Sequence, residues 1–254
     1  MQKLTRFFVL ILFLFYISGC TASNSGDNSE NGSSYSHTQD VGSSANDILS
    51  SSTFTSLVIE IDYVTGFQPS ESALNNLKSF LEGRLNKPGG IIINIDDEIP
   101  SSGKSSYSAQ DAYDLEKEHR NTYSDESTIA AYFIILNGEF EQPNVLGFAY
   151  FNTSMALLGG TIGENTGGLG QPSKSVVETA VLNHEFGHLL GLVDNGSPAV
   201  QNHLDEANGA HCDIESCLMY YSVRTSDFVG NLVGGSIPEL DAQCIQDLQA
   251  NGGK

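Results

Sequence analysis

Apolar and polar positions fall into blocks that predict strands and helices in mixed order. Residues 57–64 form a run rich in Val and Ile that reads as a strand. Leu74, Leu77, Phe80, Leu81 and Leu85 then recur at helical spacing over 71–85, with Ser70 as N-cap. Pro88-Gly89-Gly90 stops that helix. Residues 91–95 are a second strand, and their continuous apolar character predicts burial on both faces. Strand, helix and strand in this order predict a right-handed parallel crossover. A polar stretch, 96–128, holds a short helix over 109–120. Further strands follow at 129–136, 144–150 and 153–158. The predicted fold class is therefore α/β (α+β), with a mixed, mostly parallel sheet of about four to five strands.

The next helix carries Val176, Val177, Ala180, Val181, Leu182, Phe186, Leu189 and Leu190, an apolar surface wide enough to bury it. Ser173 or Ser175 caps its start, and Glu178 completes a capping box with Ser175. This buried helix also holds His184-Glu185-Phe186-Gly187-His188-Leu189-Leu190-Gly191, the pattern H-E-x-x-H-x-x-G. Residues four apart share one helix face, so His184 and His188 both reach one metal ion. Glu185 projects beside them as a general base, and Gly191 lets the chain leave the helix sharply. Ser236-Ile237-Pro238-Glu239 starts a final helix with Leu240, Cys244, Ile245 and Leu248 on its apolar face.

The glycines of 159–170 do not make a phosphate loop, because the Lys-Ser/Thr that such a loop needs is absent. Charge excludes other classes. Lys3 and Arg6 precede an apolar run, 7–17, that is too short to span a bilayer and fits a signal-peptide core. It ends in Ile17-Ser18-Gly19-Cys20, which resembles the bacterial lipoprotein processing box. That resemblance implies cleavage before Cys20 and a lipid on its sulfur. Without residues 1–19 the chain keeps 9 Lys+Arg against 31 Asp+Glu, a formal charge of −22. Such a surface does not suit nucleic acid or an anionic membrane. Residues 20–52, rich in Ser, Asn, Gly and Asp, read as a flexible tether in which His37 is inert. Residues 53–254 form one domain, in which His119 is a surface residue. Cys212 and Cys217 are close enough to pair as a disulfide in an exported protein, leaving Cys244 in the last helix. A three-cysteine metal site is the alternative.

Past Gly191 the sequence resembles the metzincin zinc peptidases. Cys217-Leu218-Met219-Tyr220-Tyr221 looks like their methionine turn, with Met219 beneath the metal. The segment from His211 to Met219 fits H-C-x4-C-x-M, the archaemetzincin pattern, whose leading His is the third zinc ligand. The later CxxC of that family, part of a second zinc site of four cysteines, is absent. Asp194 occupies the usual third-ligand position three residues after Gly191, and His211 comes 17 residues later. His203, with Asp205 nearby to orient its ring, lies between them. His211, Asp194 and His203, in that order, thus compete to complete one catalytic Zn2+ site. Tyr221 sits where astacin-like members carry an oxyanion-stabilising Tyr. The resemblance implies a metzincin-like fold and a zinc-dependent endopeptidase acting on peptide or protein substrates. An amidase acting on peptidoglycan peptides and a non-catalytic zinc-containing surface protein are the alternatives. The chain also resembles lipid-anchored bacterial membrane metalloproteases. It is expected to be a monomer at the cell envelope, on the outer membrane or cell surface, held there by its N-terminal lipid.

Overall fold

The computed structural model describes residues 35–254. The expected signal peptide, Cys20 and the first part of the expected tether lie outside the described residues. Within them the order is α1 (Ala45–Leu49), β1 (Ser56–Val64), α2 (Glu71–Glu82), β2 (Gly90–Ile99), β3 (Ser106–Tyr107), α3 (Ala109–His119), β4 (Thr128–Leu136) and β5 (Glu139–Phe140). Then come β6 (Gly147–Phe151), β7 (Ser154–Leu158), α4 (Gly159–Glu164), α5 (Lys174–Leu189), two 3-10 turns (Tyr221–Arg224 and Ser226–Leu232) and α6 (Ala242–Ala250). No helix among the described residues is long and apolar enough to cross a membrane.

Five strands form one sheet in the order β2-β1-β4-β7-β6. The pairings β1–β2, β1–β4 and β4–β7 are parallel; only β6, at one edge, runs antiparallel to its neighbour β7. This is the mixed, mostly parallel sheet that the sequence predicts. β4 lies at its centre, and alternation divides its side chains between two cores. Ile129, Ala131, Phe133 and Ile135 face the side that holds α2 and α5, and Tyr132, Ile134 and Leu136 face the other. Phe133 meets Phe186 of α5 edge to face, with ring centroids 5.7 Å apart. Each such buried side chain contributes about 1.5–3 kcal/mol relative to exposure. Gly147 brings β6 against α5, since a Cβ there would collide with Val181 and crowd Glu185.

Four local expectations need correction. β2 is not buried on both faces: it is an edge strand, with Ile92 56% and Ile95 39% exposed. Its apolar run encodes strand preference, and nothing in that run says whether a second neighbour covers it. Glu178 closes no capping box with Ser175. The N-cap of α5 is Ser173, while Glu178 accepts the Ser70 N–H at 2.9 Å and pairs with Lys174 at 3.2 Å. The last helix starts at Ala242 rather than near Pro238, because the Asp241 carboxylate takes the N–H groups of Gln243 and Cys244.

The fourth correction is the tether. Its part from residue 35 to residue 52 belongs to the folded body. Ala45, Ile48 and Leu49 are buried in the main core. Lys87 Nζ donates to the carbonyls of Asp47, Ser50 and Phe54 and so gathers the end of α1. His37 is buried rather than inert: its Nδ1 lies 2.9 Å from Thr153 Oγ1 and 3.1 Å from Arg120 Nη2. The few apolar residues of this segment all point inward, a fact that its polar average composition hides.

Candidate functional site

The apolar surface of α5 buries the helix along nearly its whole length, so His184, Glu185 and His188 sit in the interior beside the edge strand β6. At the end of α5, Gly191 adopts φ +78° and the chain turns away, as expected. It returns at His211, and the segment through Met219 then passes under α5. There Met219 packs against Gly187, at a point where any Cβ would collide with its thioether.

Three histidine rings meet at this place. Centroid separations are 4.9 Å for His184–His188, 5.4 Å for His184–His211 and 4.9 Å for His188–His211. One nitrogen from each lies within 4.8 Å of the other two. Every ring is held from behind by its other nitrogen. Nδ1 of His184 lies 2.7 Å from the Leu218 carbonyl, Nδ1 of His188 3.2 Å from that of Leu192, and Nδ1 of His211 2.9 Å from that of Asn208. A carbonyl only accepts, so each Nδ1 is the donor and each Nε2 lone pair faces inward. The Nε2 atoms of His184 and His188 are 3.2 Å apart, and that of His211 is buried with no partner. Converging lone pairs without donors suit a cation that accepts imidazole nitrogen, and zinc is such an ion. Burial lowers all three imidazole pKa values, that of His188 to about 3, so the rings are neutral and ready to ligate.

Glu185 is buried next to them. Its Oε2 accepts the Ala149 N–H at 3.0 Å, and its Oε1 is buried without a partner. Burial raises its pKa to about 7, against the opposing pull of Arg224 and of the Ala149 hydrogen bond. A cavity of about 200 Å³ opens beside it, walled by Val41, Phe148, Ala149, His188, His211 and Arg224.

The other candidates lie elsewhere. Asp194 is exposed, and its carboxylate accepts the Ala199 N–H at 3.3 Å. His203 is buried away from the three histidines, with Asp247 rather than Asp205 holding its ring, Nε2 to Oδ2 at 2.7 Å. Asp205 instead binds Asn208, whose carbonyl holds His211. Tyr221 is 37% exposed, packs on Tyr220 and does not line the cavity. Two cavity residues escape sequence reasoning. Val41 lies in the segment read as tether, and Arg224 lies beyond the last matched motif residue.

The expected Cys212–Cys217 disulfide is not formed, and all three described cysteines are free and buried. Cys217 Sγ lies 3.6 Å from Cys244 Sγ instead, and Cys212 Sγ lies 3.3 Å from His203 Nδ1. His203, Cys212, Asp241 and Cys244 are grouped closely enough to hold a metal ion. Hydrogen bonds from Cys212 and Cys244 pull the Cys217 thiol well below its ordinary range. The missing CxxC therefore does not leave these cysteines scattered: His203 arrives from the stretch between Gly191 and His211 and joins them.

Comparison with known proteins finds structural similarity only. An archaemetzincin from Methanopyrus kandleri is similar over 78% of this chain and 96% of that one, at 15% identity and a TM-score of 0.49. Metalloproteinase-II from Bacteroides fragilis is similar over 80% of this chain and 54% of that one, at 15% identity and a TM-score of 0.44. No protein-family model matches the sequence, and no curated protein does.

Proposed function

We propose that the chain is a zinc-dependent endopeptidase. The observation that carries this reading is the convergence of three neutral, carbonyl-held histidines beside a buried, half-unpaired carboxylate. His184, His188 and His211 would hold the ion through Nε2. Zinc bound there supplies a Lewis acid that lowers the pKa of a water to roughly 7 and polarises a carbonyl.

The chain's own groups do the rest. Glu185 Oε1 has no internal partner and is free to take a proton from the attacking water and return it to the leaving amine nitrogen. The raised pKa of Glu185 suits that exchange near neutral pH. A structural metal site needs no such base, which favours catalysis over a purely structural ion. β6 has a neighbour on one side only, so an extended peptide can pair with its outer edge and lie across Glu185. The N-terminal pattern supports export with a lipid on Cys20, and with it a location at the cell envelope.

Glu185→Ala tests the reaction. With zinc retained, peptide hydrolysis is expected to fall by about 10²–10⁴-fold. Equal turnover by both proteins overturns the reading. Incorporation of labelled fatty acid into the wild type, lost in Cys20→Ala, tests the anchor.

A further inference from the structure

Among the described residues, Arg224 is the one Lys or Arg side chain that lines the cavity beside the three histidines. Acidic residues outnumber basic ones 31 to 11, so an unpaired guanidinium is unexpected. Arg120, Lys104, Lys117 and Lys174 all pair with carboxylates. Arg224 and Arg84 pair with none among the described residues, and each has a buried Nε without a hydrogen-bond partner; Arg84 lies over the Phe80 ring, whereas Arg224 lines the cavity beside Glu185. A buried N–H left unsatisfied is costly, and a charged one more so.

The residue is also held firmly in place. Its carbonyl accepts the Leu146 N–H at 2.8 Å, and the next residue, Thr225, bridges Val145. The Ser226 N–H donates to the Asn144 carbonyl at 2.8 Å. The 3-10 turn is thereby fixed to the chain just before β6, and Arg224 forms one wall of the cavity beside Glu185. The other walls are Val41, Phe148 and Ala149 on one side and Glu185, His188 and His211 on the other. Arg224 is the one Lys or Arg side chain lining this pocket of about 200 Å³, where it faces the Glu185 and histidine end, and a fixed guanidinium at that place has the chemistry of a selective subsite. Guanidinium prefers planar oxygen pairs, above all a carboxylate.

We infer that Arg224 is a specificity residue that binds a substrate carboxylate beside the scissile bond. This rests on the peptidase reading of the same site. The carboxylate belongs either to an Asp or Glu side chain or to the free C-terminus of the peptide. Among the described residues, Glu185 is the one acidic side chain lining the pocket and makes no ion pair with Arg224, which leaves the guanidinium open to an incoming carboxylate, while the chain's general negative field repels acidic peptides elsewhere. Arg224 is therefore the feature that admits them.

Binding to zinc-loaded Glu185→Gln protein tests the inference without turnover. Four fluorescent peptides combine Glu or Gln next to the cleavage position with a free or amidated C-terminus. The preferred carboxylate peptide is expected to bind at least about tenfold more tightly than the Gln amide peptide. Whether the Glu amide or the Gln acid peptide carries the gain identifies the source. Adding Arg224→Gln should bring all four within about twofold of one another, with zinc content and melting temperature unchanged. Adding Arg224→Glu should favour a Lys peptide instead. The inference is overturned if the Glu185→Gln protein shows no carboxylate preference, or if that preference survives Arg224→Gln. It is also overturned if Arg224→Gln in the wild type slows hydrolysis of all four peptides equally and leaves their binding unchanged. Arg224-dependent binding by a wild type that cleaves nothing would sink the peptidase reading alone. Cleavage with no dependence on Arg224 would sink this inference alone.

Discussion

Gly187 and Met219 touch beneath the histidine pair, and they touch because Gly187 has no side chain. A Cβ there would overlap the Met219 thioether. Both residues are buried at helix-to-loop contact, so neither has solvent to move into. Gly187→Ala should therefore destabilise the fold by about 1–3 kcal/mol, despite the better helix propensity of Ala. Met219→Ala in the same chain should recover part of the loss. Urea unfolding of the two single variants and the double variant measures both effects. Additive losses would mean that the contact does not limit α5.

The three histidines differ from Asp194 in what restrains them. His211 has its Nδ1 fixed and its Nε2 left over, whereas the Asp194 carboxylate already serves its own loop. His211→Ala should weaken zinc binding by more than about tenfold, and Asp194→Ala should leave it near wild type. Chelator competition with metal analysis distinguishes the two. The opposite order would move the third ligand to Asp194.

Much of this was legible in the sequence, for reasons that can be named. β1 and β4 are read correctly because each is a run of strand-forming residues, and α5 because its apolar residues extend over about four turns bounded by a capping Ser and Gly191. His184, Glu185 and His188 are read together because a helix turn places them together. His211 required more, since its approach depends on a turn through Asn208 that no periodicity encodes. The Cys212–Cys217 expectation failed because closeness in sequence stood in for geometry. The two thiols stay near each other but unbonded, within a cluster that also holds Cys244 and His203. Arg224 and Val41 were invisible for the same reason, as one loop and one N-terminal segment reach the cavity from remote positions.

The cysteine cluster gives a stoichiometric prediction. His203, Cys212, Asp241 and Cys244 offer four donor atoms close enough for one ion, with Cys217 beside Cys244, and Asp247 fixes the ring of His203. Such a set of two thiols, an imidazole and a carboxylate suits structural zinc, which takes four ligands and no water. Wild-type protein should carry about two zinc ions per chain, and Cys244→Ser about one, with lower thermal stability. Alkylation of the metal-stripped, unfolded chain without reductant should label Cys212, Cys217 and Cys244 alike. A protected Cys212–Cys217 pair, or a single zinc in both proteins, would refute this.

His37 makes the docking of the N-terminal segment sensitive to acid. Arg120 Nη2 and the Ser124 N–H both point at its ring, with Arg120 itself paired to Glu116. Burial first, and the Arg120 charge second, lower its pKa to about 3 from an ordinary 6.5. The unfolded chain therefore binds a proton between those values that the folded chain does not. Its contribution is complete above pH about 6.5 and is lost as pH falls, by about 1.4 kcal/mol per pH unit over that window. Asp62 acts in the opposite sense. Burial raises its pKa to about 6, so its ionisation costs stability as pH rises from about 4 to about 6. The two trends oppose each other in the wild type and mask the effect of His37. Subtracting the unfolding free energies of His37→Gln from those of the wild type at each pH removes the Asp62 contribution, which both proteins share. That difference should be constant above pH about 7 and fall steadily below pH about 6. A difference independent of pH would show that the His37 ring remains protonated in the folded chain or that its pocket opens to water.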